Sequence, residues 1–360
     1  MKVLISTLII SLFFLGATAQ EPAKVATPQE PVKEKHFKNL KQLTFGGDNA
    51  EAYFSFNDKY ASFQSNNAKW GLECDQIFVV DVKKGLKDPT ARPTIISTGK
   101  GRTTCSYFMP DNKHILFAST HLSDDKCPPP LKPYKNRYLW AVYESFDIFV
   151  ADQKGKIVKQ LTNAPGYDAE ATISPKGDKI VFTSTRDGDL DLYTMDIDGS
   201  NVKRITSALG YDGGAFFSPD GTQLVYRASR PKTQEDSLEY KKLLSIGAVA
   251  PTDMEIYVCN VDGSNQRQIT HLGKANWAPY FLPGGKKIIF SSNHHSQRGY
   301  DFQLYTIKLD GTGLERITEN SYFNAFPMFS HDGKKLIFSS NRNAAEGTRD
   351  TNLFIADWVE

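Results

Sequence analysis

Residues 217–222 read FSPDGT, an aromatic residue leading into a Ser-Pro-Asp-Gly turn. Proline fixes φ at the start of such a turn, and glycine supplies the positive φ that a tight hairpin requires. Five further stretches have the same form: FSFNDK at 54–59, FMPDNK at 108–113, ISPKGD at 173–178, FLPGGK at 281–286 and FSHDGK at 329–334. Before each stands a threonine, at Thr44, Thr98, Thr162, Thr206, Thr270 and Thr318. After each comes a short apolar run such as KIVFTS at 179–184 or KIIFSS at 287–292, then another such as DLYTMD at 191–196 or EIYVCN at 255–260. Short runs rich in Val, Ile, Tyr and Phe suit a buried pleated sheet. Six copies of a four-strand unit predict an all-β chain, a six-bladed β-propeller of antiparallel four-stranded blades.

The first strand of the chain, at 40–44, matches the outermost strand of every later unit, and the last, at 352–359, matches a third strand. The amino-terminal strand is therefore expected to close the last blade and remove an exposed edge. Ahead of it, Lys2, an apolar run over 3–15 and Ala17-Thr18-Ala19 read as a secretory signal over 1–19. Residues 20–37, rich in Pro, Glu and Lys, read as a flexible linker, leaving the propeller at 38–360. A formal net charge of +2, with no basic stretch, argues against nucleic acid as a partner. The expectation is a monomer, periplasmic or secreted, with no membrane span after signal cleavage.

The FSPDG turn, the threonine before it and the DG-ended third strand resemble the TolB-like propeller family of exported repeat proteins. That resemblance runs from about Lys38 onward and implies a six-bladed propeller that binds a protein or peptide of the cell envelope. The α/β domain that precedes the propeller in TolB has no counterpart in the sequence before the first repeat.

Length variation between the copies falls in links from second to third strand, chiefly 119–146 and 228–254. These lie on one face, which is thereby the expected binding face. The first insert carries Pro128-Pro129-Pro130, Tyr134 and Trp140, either to contact a peptide or sugar or to plug the channel mouth. The second opens with Thr233 three residues before Asp236, a capping-box pattern, and its Leu238, Leu243 and Leu244 give a short helix an apolar side.

Two places near the top of each first strand form rings. One holds Asn49, Thr103, Asp168, Asp212, Asn276 and Asn324; the other holds Glu51, Cys105, Glu170, Gly214, Ala278 and Phe326. The first ring satisfies turn backbone groups or binds a ligand; its Asn49, Asp168, Asp212, Asn276 and Asn324, with Glu51, Glu170, Trp277, Tyr134 and Trp140, are the binding candidates. Asp168, Glu170, Asp212 and Glu51 are hard oxygen donors, so calcium at the channel mouth is the cofactor alternative. For the four cysteines the expected disulfide is Cys105–Cys127, with Cys74 bonded to either as the second choice and Cys259 a buried thiol. The sequence contains no G-x-S-x-G, H-E-x-x-H or phosphate-binding glycine loop. The expected function is non-catalytic protein binding. The alternative is a metal-dependent lyase or hydrolase acting on carbohydrate or peptide through Asp168, Glu170, His271, His294 or His295.

Overall fold

The structure, a computed structural model, describes residues 32–86 and 91–360. The signal segment at 1–19 and most of the linker at 20–37 lie outside the described residues.

Among the described residues there are six four-stranded sheets and one two-stranded ribbon. The third is representative, with strands Asp168–Ile173, Lys179–Ser184, Asp191–Asp196 and Lys203–Arg204 paired antiparallel in chain order. The turn between its counterparts in blade 4 shows why FSPDGT is a hairpin. Gly221 adopts φ +71° and its N–H bonds Ser218 O at 2.8 Å, while Asp220 accepts from Ser218 Oγ at 2.6 Å and Thr222 N at 3.0 Å. In blades 1 and 2, which lack this glycine, Asp58 and Asn112 take the left-handed conformation, each at φ +56°. Asp and Asn tolerate that region better than other side chains.

Each blade is held by a repeated pair of devices. Strands two and three place aromatic residues directly opposite each other: Phe63 and Phe78, Phe117 and Phe149, Phe182 and Tyr193, Tyr226 and Tyr257, Phe290 and Tyr305, Phe338 and Phe354. Such cross-strand pairs are the stabilising unit of a sheet. The repeated threonine accepts an N–H from the third strand, as Thr206 does from Leu192 at 2.9 Å, and donates to the polar residue that opens that strand, Asp191, at 3.2 Å. In blade 1 the residue doing this is Ser97, which accepts from Ile77 N and donates to Gln76, and not the expected Thr98 one position later.

The amino-terminal strand β1 (Phe37–Gln42) pairs antiparallel with Asn352–Trp358 and completes the sixth blade. The last residues of the expected linker pack against the propeller. Glu34 is buried and bonded to Arg342, at 2.9 and 3.1 Å, and to the backbone N–H of Glu319 at 3.0 Å, so it sits in the cleft between blades 5 and 6. His36 stacks on Trp358 with ring centroids 4.8 Å apart.

The helix α1 (Gln234–Ser245) begins at Thr233 with the reciprocal capping box to Asp236. Its buried side chains are Tyr240 and Leu243, whereas Leu238 is 62% exposed, because the helix lies along the rim and rests on a narrow stripe. No helix among the described residues is long and apolar enough to cross a membrane.

Candidate functional site

The two rings read from the sequence separate in the structure. All six residues of the first ring are buried, and they join blades. In five blades the backbone N–H at this place bonds a carbonyl preceding the third strand of the previous blade; Asp212 N to Leu190 O at 2.8 Å is one case. Side chains repeat the link. Asn49 donates to Thr351 O, Asn276 to Met254 O and Asn324 to Gln303, each at 2.8 Å. Asp168 accepts from Arg186 at 2.9 and 3.0 Å, and Asp212 pairs with Arg230 at 2.6 Å. These arginines stand two places after the second strand's Ser or Ala, in STR at 184–186, ASR at 228–230 and SNR at 340–342. Each guanidinium also lies over an aromatic ring of its own blade, near 5 Å. That recurring Ser/Ala-x-Arg was visible in the sequence and explains why an acid is tolerated in the ring.

The second ring points inward. Every member, from Cys105 at φ +44° to Gly214 at +59°, is left-handed, and each lies where the register of strands one and two shifts. A bulge re-aims its side chain, and the left-handed backbone at Glu51, Cys105, Glu170, Ala278 and Phe326 is a strain that side-chain-bearing residues adopt only where surroundings enforce it. Glu51, Cys105, Glu170 and Phe326 thereby line a central cavity of about 740 Å³ on the insert-bearing face.

At its floor Glu170 accepts from Tyr211 Oη at 2.6 Å, Thr183 Oγ1 at 2.7 Å, Gly214 N at 2.9 Å and the Arg227 guanidinium. Arg227, 7% exposed, lies between Trp140 and Tyr211, its guanidinium carbon 5.0 and 5.2 Å from their ring centres. Burial disfavours its charge, but Glu170 and Tyr211 more than restore it, leaving its pKa above the ordinary value. The site needs Gly213 and Gly214: a Cβ would fall 2.4 Å from Glu170 Oε2 at the first and 2.0 Å from Arg227 Nη1 at the second. Glu51 is half-buried beside Cys105, and burial, reinforced by the charge of Glu170, pushes its carboxyl above the usual range.

Two residues further along the first strands comes a third ring, Tyr53, Tyr107, Thr172, Phe216, Tyr280 and Met328. Tyr53 packs on Phe216 at 5.3 Å and on Tyr107 at 5.8 Å, and Phe216 on Tyr280 at 5.2 Å. These side chains plug the channel, so the cavity is a funnel entered from the insert side.

The two inserts meet over the funnel. Trp140–Ala141 pairs with Ala248–Val249 as a two-stranded ribbon. Trp140 lies 5.0 Å from Trp277, whose indole N–H bonds Pro251 O at 2.8 Å. Tyr134 is placed elsewhere: its hydroxyl donates to Glu239 of α1, which also pairs with Lys135 and Arg137, so it clamps the insert to the helix. The disulfide joins Cys74 to Cys127 and not Cys105 to Cys127. The bulge turns the Cys105 side chain into the funnel, where it is a buried free thiol; Cys259 is the second.

The ring carboxylates do not converge as calcium ligands. Asp168, Glu170 and Asp212 each face their own arginine, and among the described residues no group of three or more His, Cys, Asp or Glu is placed to hold a metal ion. The three histidines lie outside the funnel. His271 is exposed, while His294 and His295 pack on Tyr305 of the third strand of blade 5. Burial, and after it the nearby Lys274, lowers the pKa of His294.

The family model described as the TolB beta propeller domain matches residues 129–246 and 248–348. Among solved structures, a TolB from Agrobacterium tumefaciens superposes with a TM-score of 0.54 at 18% identity, over 87% of this chain and 91% of that one. TolB from Acinetobacter baumannii gives 0.52 at 18% identity, over 87% of this chain and 64% of that one. An oligogalacturonate lyase solved with manganese gives 0.49 at 14% identity, over 89% and 93%. At such identities the likeness is one of fold. No curated protein matches the chain significantly.

Proposed function

This chain belongs to the TolB β-propeller family, and from that premise we propose that it is an exported, non-catalytic scaffold that holds a peptide segment of a cell-envelope protein in its funnel. The observation carrying this reading is the combination of a blind, aromatic-walled cavity with a floor carboxylate already saturated. Trp140, Trp277, Tyr138, Phe323 and Phe326 line it, and clustered aromatics on a rigid frame are what protein partners anchor to. Glu170, with four donors, is engaged in holding Arg227 and not available as a base. His271, His294 and His295, which the enzyme alternative named beside Asp168 and Glu170, stand outside the cavity.

Crosslinking of the purified protein in envelope extract tests it. A specific partner is expected to be captured by the wild type and by the His271→Ala, His294→Ala and His295→Ala variants, and lost in Trp140→Ala. Turnover of an envelope polysaccharide or peptide by the wild type, abolished by Glu170→Gln or by the histidine variants, would overturn the reading in favour of the lyase or hydrolase.

A further inference from the structure

The funnel's charge is opposite to that of the chain. The protein carries a formal +2, yet four carboxylates, Asp48, Glu51, Asp75 and Glu170, line the cavity against two guanidiniums, Arg102 and Arg227. Both guanidiniums are already paired, Arg102 with Asp75 at 2.5 Å and Arg227 with Glu170. Among the described residues neither Asp48 nor Glu51 forms an ion pair. Glu51 accepts a long bond from the Tyr53 hydroxyl at 3.4 Å and faces the Cys105 thiol, and its left-handed backbone holds it toward the axis. A carboxylate enclosed by aromatic walls, with no cation of its own, suits an ammonium group, which gains both a charge-assisted hydrogen bond and ring faces.

A second observation bears on how that ammonium arrives. The plug formed by Tyr53, Tyr107, Phe216 and Tyr280 prevents a chain from threading through, so what enters is an end or a side chain.

We propose that the funnel floor is a subsite for a primary ammonium of a peptide, with Glu51 as its counter-charge. The two sources of that group are a free amino terminus and a lysine side chain. The inference rests on the peptide-binding reading above.

The test uses the mature protein and the peptide Ala-Ala-Lys-Ala-Ala amide, with an N-acetyl form, a form with norleucine in place of lysine, and a form carrying both changes. Binding is followed by tryptophan fluorescence and ligand-observed NMR. The unmodified peptide is expected to bind and to weaken with added salt, and the doubly modified form to lose binding. Whichever single modification abolishes binding identifies the source. Glu51→Gln, shown to be folded by an unchanged thermal midpoint, is expected to weaken the peptide about tenfold, the scale of one charge-assisted hydrogen bond. If that variant is destabilised, the salt dependence and the modified peptides decide by themselves. Equal binding of all four peptides, no binding of any, or an unaltered affinity in folded Glu51→Gln overturns the ammonium subsite. Loss of the peptide in Trp140→Ala with no effect of Glu51→Gln removes only this subsite and leaves the scaffold reading standing.

Discussion

At the scale of single residues, the site depends on backbone that most side chains avoid. Gly214 is the clearest case, since any Cβ there meets the Arg227 guanidinium. Gly214→Ala is expected to cost about 2 kcal/mol or more in denaturant unfolding, from the left-handed backbone plus displacement of a buried ion pair. Asp212 offers a pH test. Burial pushes its carboxyl up to about 7 despite Arg230 beside it. A carboxyl whose folded pKa lies above its unfolded value binds a proton on folding between the two, so stability falls as pH rises through that window. The thermal midpoint is therefore expected to decline from pH 5 to pH 8, and Asp212→Asn to flatten that slope. A wild-type midpoint constant over this range would show that Asp212 stays ionised.

Among the elements, the closing strand and the inserts carry separable roles. Glu34, Arg342 and Asn324 form a buried network that fixes the start of β1 against blades 5 and 6. Removing one partner of a buried ion pair leaves the other uncompensated. Glu34→Ala is expected to cost about 3 kcal/mol, with the Glu34→Ala/Arg342→Ala double variant costing less than the sum of the singles. Deleting residues 33–42 should lower the thermal midpoint by about 10 °C, equivalent to several kcal/mol in a domain of this size. An unchanged midpoint would contradict closure by this strand. The Cys74–Cys127 bond ties the first insert to the second-to-third link of blade 1. Cys74→Ser is expected to speed proteolysis within 119–140 while leaving the blade cores resistant, and an unreduced digest of the wild type should yield the peptide joining these two cysteines.

For the whole molecule, scaffold and site are nearly independent. The blades are stabilised by their own aromatic pairs and threonine latches, whereas the lid over the funnel comes from two inserts that pair with each other. Replacing 120–145 and 232–253 by short turns, which keeps Arg230, is expected to leave a folded propeller, with far-UV circular dichroism altered only by loss of α1, and to abolish partner capture. Loss of cooperative unfolding in that variant would mean that the inserts hold the ring together.

The sequence by itself determined the repeat, the blade count, the closing strand, the helix cap and the face on which variation collects. These follow from local rules: turn chemistry, strand alternation and capping act over a few residues and recur six times, so each copy checks the others. It also placed Glu51, Cys105, Glu170 and Phe326 at one level of the ring. Only the tertiary structure decided what those positions do. The bulge that turns them inward is a pairing irregularity between strands, and the first ring's bonds matter because they join blades that are neighbours in space. The disulfide partner depended on which way the Cys105 side chain points. Position along a strand is written in the sequence, but direction at a bulge is set by the neighbouring strand, and that difference separates the legible fold from the funnel it encloses.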